Sequence, residues 1–162
     1  MSIFKVIAIV VISGVVLLTV LIIYSISPTI NDVSDEAPLK SYLNKLLTLK
    51  QTSYLLKVEQ GQYDFLEHIL VIDSTYPGTK VAEFSISKTI IINQFKTYTN
   101  NLGSGFTHLY AVGEITITKG NKINFQYNLG NVDKGLYSDV TYKLNYTVWQ
   151  DSTDLQIDLT KK

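Results

Sequence analysis

The sequence predicts an α+β membrane protein: one N-terminal transmembrane helix followed by a single helix-plus-antiparallel-sheet domain. Three observations lead there. Val6 to Ile26 is a run of 21 residues without a charge. Leu39, Tyr42, Leu43, Leu46 and Leu47 recur at helical spacing soon after it. The C-terminal third alternates apolar and polar residues with the period of a half-buried strand.

Residues 1–5 form a short N-terminal segment carrying Lys5, and 6–26 form the span. A helix rises about 1.5 Å per residue, so this run covers roughly 31 Å, close to a ~30 Å hydrocarbon core. Its β-branched residues are poor helix formers in water. In lipid the cost of unpaired amides overrides that preference. Ser13, Gly14 and Thr19 interrupt the run, and the hydroxyls can bond the helix's own carbonyls. Ser13-Gly14 is a lone small pair rather than a GxxxG packing motif. Tyr24 suits an interface and Pro28 ends the helix.

Lys5 and the amino terminus precede the run, and Asp32, Asp35 and Glu36 follow it. The positive side stays cytoplasmic, so the expected topology is N-terminus inside, with the C-terminal domain periplasmic or extracellular. A cleaved signal peptide is the competing reading. Its apolar region is usually about 7–15 residues and ends in small residues, and Ser25-Ile26-Ser27 imitates such a site poorly. The length favours an uncleaved signal anchor. No Cys is present to be acylated, and Pro28 with the polar residues after it opposes a continuous pilin-like helix.

Residues 27–36, SPTINDVSDE, read as a tether, and 37–162 as the extracytoplasmic domain. Asp35 as cap and Pro38 in the first turn predict a helix over 37–50. Ser53–Gln60 suits a strand, with Tyr54, Leu56 and Val58 on one side. Residues 63–73 fit helix or strand, and 93–102 are likewise open. Tyr76-Pro77-Gly78-Thr79 is a turn, and 80–92 lean to strand with Ala82, Phe84 and Ile86 on one face. A four-stranded meander then follows. A strand from Thr107 to Ile117 turns at Lys119-Gly120-Asn121 into Ile123–Leu129. After a loop at Gly130–Gly135, Leu136–Val148 forms a long strand, and Leu155, Ile157 and Leu159 mark the last. One face is expected buried under the helix and the other wet.

Chemistry is hard to find. The absence of Cys and Arg excludes disulfides, Cys-ligated metal, a thiol nucleophile and an arginine finger. No nucleophile elbow, phosphate loop, HExxH or EF-hand pattern is present. Gly103-Ser104-Gly105 reads as a loop. His68 and His108 lack the further ligands of a zinc site, and a strand points Glu67 and His68 to opposite faces. Asp151 and Asp154 read as turn residues, short of the oxygen ligands calcium needs. No cofactor, metal or catalytic residue is therefore expected. Outside the helix 13 Lys face 14 acids, which disfavours nucleic acid.

Aromatic residues remain. Tyr142 and Tyr146 fall on the predicted core face, whereas Tyr137 and Trp149 fall on the polar face. The last two are candidate partner contacts, with cover by a loop or sheet edge as the alternative. Asn145-Tyr146-Thr147 matches a glycosylation sequon at chance frequency.

The order of elements, helix first and long meander last, resembles cystatin-like and nuclear-transport-factor-like folds. It also looks like the anchored scaffold subunits of conjugative secretion systems. The resemblance is architectural and carries no residue across.

The expected function is a non-enzymatic, single-pass subunit of a cell-envelope assembly. Its partners would be the bilayer, through residues 6–26, and other envelope proteins. A scaffold-like secretion subunit, a small-ligand-binding domain, and an anchored immunity or viral envelope protein are the alternatives.

Overall fold

A computed structural model describes residues 3–36, 39–59, 65–101, 106–118, 120–134, 140–144 and 147–149. Helix α1 covers Ile3–Ile26 and is long and apolar enough to cross a membrane. Its 24 residues span roughly 36 Å. Thr19, Ser25 and Ser27 donate their hydroxyl protons to the carbonyls of Val15, Leu21 and Ile23, one turn earlier.

Among the described residues nine strands follow α1: β1 Thr29–Asp32, β2 Leu46–Thr48, β3 Ser53–Lys57, β4 His68–Val71, β5 Thr79–Phe84, β6 Thr89–Thr99, β7 Thr107–Thr118, β8 Asn121–Lys134 and β9 Val140–Leu144. They join one mostly antiparallel sheet with the path β1-β6-β7-β8-β4-β3-β5. β2 also pairs with β6, and β9 with β8. The single parallel contact is β4 on β8, at Ile69 and Gln126.

Two expectations are corrected. The helix expected over 37–50 is a 3₁₀ turn at Leu39–Tyr42 followed by β2, and no α-helix follows Ile26 among the described residues. Asn44 takes a left-handed φ of 56°, which ends any helix there. Its N–H donates to the Ile92 carbonyl, and Leu46–Thr48 pairs with Thr89–Ile91. Leucine spacing is therefore satisfied by a tertiary strand partner, and Leu39 and Leu49 alone among these leucines become fully buried.

The tether over 27–36 is the second correction. Strand β1 begins two residues after α1 ends and pairs with Lys96–Thr99 of β6. Ser34 reinforces this: the Phe95 N–H donates to its hydroxyl at 2.9 Å, and Val33 N–H donates to the Phe95 carbonyl. The domain thus starts where the helix stops.

The open segments both resolve as strand, His68–Val71 and Thr89–Thr99. Residues 80–92 hold two strands, because the chain turns at Ser85–Lys88 with Ser87 at φ 83°. Gly120, at φ 85°, makes the expected hairpin turn. The loop expected from Gly130 starts later, since β8 continues to Lys134 through a bulge opposite Leu109 and Tyr110. β6, β7, β8 and β9 run antiparallel in sequence order. The strand expected at Leu155–Leu159 lies outside the described residues.

The main core joins β3 and β4 to the meander. Leu55 and Leu70 of β3 and β4 meet Ile92, Phe95, Leu109, Ile115, Phe125 and Leu129 of the meander. Gly113 permits the tightest approach: a Cβ there would stand 2.3 Å from the Ile91 carbonyl oxygen and 3.0 Å from the Phe125 ring.

Candidate interaction surfaces

The meander's second face, expected to be wet, is partly closed. Gln126 looked like a solvent residue by alternation, yet it is 1% exposed. Its side-chain oxygen accepts the N–H groups of Phe65 and Leu66, at 3.1 and 3.0 Å. That bond fastens the chain before β4 across the sheet. Phe65 then meets Tyr110 edge-to-face at 5.3 Å, with Lys96 5.6 Å from the Phe65 ring centre. The sequence signal was thin: two adjacent bulky residues before a strand, and one glutamine in a polar row.

Trp149 is not a surface residue. It is 7% exposed, belongs to the main core, and lies 5.7 Å from the Tyr127 ring. Among the described residues its indole N–H has no hydrogen-bond acceptor. The backbone explains the cover: Lys50 N–H donates to the Val148 carbonyl, drawing this segment against the chain after β2. Burial raises the Tyr127 hydroxyl's pKa to about 12. Tyr137 and Tyr146 lie outside the described residues, as do Asp151 and Asp154, while Tyr142 falls on β9.

The two histidines stay apart. His68 pairs across β3 with Lys57, whereas His108 sits on β7 opposite Tyr98 and Asn131. Glu114 is six residues along the same strand from His108, roughly 20 Å away. It pairs instead with Lys122 at 3.0 Å. Among the described residues no three His, Cys, Asp or Glu side chains gather as a metal site. Burial lowers the His108 pKa, favouring the neutral ring. Exposed carboxylates are lowered by local bonds: Asp32 by Ser34, Asp73 by Thr75, and Glu67 by Lys57. These are turn and pairing effects.

Surface apolar groups collect elsewhere. Around the β5–β6 turn, Ala82–Lys88 and Ile117 line an open groove of about 540 Å³. Ile86 in that turn is 58% exposed, and Leu46 on neighbouring β2 is 68% exposed. Both residues looked like core by spacing. The flanking Ser85, Ser87 and Lys88 are the sequence signal for a turn there. β5 is also the open end of the sheet path. Lys80 and Glu83 pair on it at 2.5 Å, and such charges on an edge discourage strand addition.

Comparison of the chain with protein-family models, curated proteins and solved structures finds no match.

Proposed function

We propose that the protein is a non-enzymatic, single-pass membrane subunit whose outer domain binds another envelope protein. Helix α1 stays in the bilayer with the N-terminus cytoplasmic, and the sheet domain stands on the opposite side. The observation that supports the binding role is at the distal end: Ile86 is exposed in an open groove of mixed polar and apolar lining, Leu46 is exposed on β2, and neither belongs to the core. The charged β5 edge favours side chains seated in the groove over an added strand.

A scaffold role in a secretion assembly is a narrower version of this reading. The β1 pairing, which holds the domain directly at the bilayer, suits it. A small-ligand role has less support, because the groove is open to solvent and small-molecule sites enclose most of their ligand.

The test is recovery of the full chain from its own membranes at native expression in mild detergent. A stable complex that Ile86→Glu releases, with the variant still folded, is the expected result. A monomer for both chains contradicts the proposal.

A further inference from the structure

The helix-side ends of β6 and β7, at Asn101 and Phe106, lie near the end of α1. Antiparallel pairing of Thr29 with Thr99 and of Thr99 with Thr107 brings these ends level with the start of the domain. Asn101 secures them, donating from its side-chain amide to the Ser27 carbonyl at 2.6 Å and to the Thr29 hydroxyl at 3.1 Å. Asn100 N–H donates to the Phe106 carbonyl and closes the hairpin.

Depth follows from helix length. α1 spans roughly 36 Å against a ~30 Å hydrocarbon core, so its last turn reaches the headgroup layer. That layer is about 5–8 Å thick on each side. Asn101 bonds to the first residue after α1 and therefore shares this depth.

The chemistry of these ends matches the layer. Between Lys96 and Glu114 the sequence holds no charged residue, and His108 is its one titratable side chain apart from tyrosines. Phe106 is 60% exposed, Ile30 on β1 46%, and Tyr24 in the last turn of α1 81%. A lone exposed Phe needs no explanation. Here an exposed Phe, Ile and Tyr lie within a few residues, along the chain or by strand pairing, of the Asn101 bond to Ser27. Aromatic rings favour the membrane interface, where an apolar body meets polar headgroups.

We infer that the helix-side ends of β6 and β7 make a second membrane contact, with Phe106 seated in the lipid interface beside α1. The inference rests on the reading that α1 remains in the bilayer. It makes the domain a body held at two points, the helix and these strand ends, and so fixes the direction in which the distal groove faces.

The chain has no cysteine, so one introduced thiol carries one label. Ile12→Cys, Phe106→Cys and Ile86→Cys would each be labelled with an environment-sensitive fluorophore in the full chain. The labelled proteins are reconstituted in phosphatidylcholine vesicles doped with shallow or deep nitroxide lipids. At position 12 the deep nitroxide should quench. The label at position 106 should shift to the blue and be quenched by the shallow nitroxide, while that at 86 responds to aqueous iodide alone. Iodide access at 106 equal to that at 86, with 12 still in lipid, overturns the inference and leaves the anchor standing. Shielding of 106 from both iodide and nitroxide lipids means that protein covers it, which also overturns the inference. Iodide access at 12 overturns the anchor and the inference together.

Discussion

At its helix end the β6–β7 hairpin is uncharged in sequence, with Asn101 bonded to Ser27 just after α1 and Phe106 exposed. At its far end, roughly 35 Å along β6, the same sheet carries Glu83 and Lys88 in an open groove that also exposes Ile86. On the proposed reading, the first end meets a lipid interface and the second meets water and a protein partner. A neutral chain can hide this division, because it is a matter of position along two strands rather than of total charge.

The contrast requires a rigid middle, so the largest expected effect comes from breaking it. Gly113→Ala sets a methyl 2.3 Å from the Ile91 carbonyl oxygen, where backbone must move. Overpacking of this kind costs on the order of 1–3 kcal/mol or more. Urea unfolding in detergent should show a loss at the top of that range, with both ends disturbed together. A change below about 0.5 kcal/mol, the usual surface value, would mean that the strands slide freely there.

Gln126→Leu comes next. It keeps the volume but deprives the Phe65 and Leu66 N–H groups of their acceptor. Stranded buried donors cost about 1–3 kcal/mol each. A loss of roughly 2–4 kcal/mol is expected, with Phe65 exposed to hydrogen exchange and the main core retained. Equal loss of protection in both places would show that the two faces are one cooperative unit.

His108 gives a smaller effect, in pH dependence. Its folded pKa lies below the ordinary 6.5 because burial disfavours the cation. As pH falls through 6.5, the unfolded chain takes the proton first. The contribution is therefore complete above that value and lost as pH falls. Stability should decline from neutral pH toward pH ~5, before carboxylates titrate, and His108→Gln should flatten the slope. An unchanged slope in the variant assigns it to other groups.

Ile86→Glu should alter stability by less than about 0.5 kcal/mol, as an exposed turn residue outside the core. A larger loss in the isolated chain would make Ile86 structural and weaken the contrast.

Legibility differed along the chain for identifiable reasons. The long apolar helix and the Gly120 hairpin are set by neighbours in sequence, and both were readable. The region 37–50 was misread because leucine spacing fits a helix until Asn44 finds β6 as a partner. Strand β1 was invisible in a polar segment, since its partner lies about seventy residues away and none of its side chains is buried. Gln126 and Trp149 were placed on the outside by period-two alternation. A pattern of alternation reports which side of a sheet a residue takes, not what a distant segment lays over that side. Ile86 was lost for the converse reason: a turn exposes an apolar residue that the alternation assigned to the core.

The most direct measurement places a photoactivatable benzophenone at position 86 or at position 106 of the full chain in its native membrane. Adducts are then sorted into protein and lipid. The expected result is a protein adduct from 86 and a lipid adduct from 106. A lipid adduct from 86, or a protein adduct from 106 with none from 86, would contradict the division of the molecule into a bilayer end and a partner end.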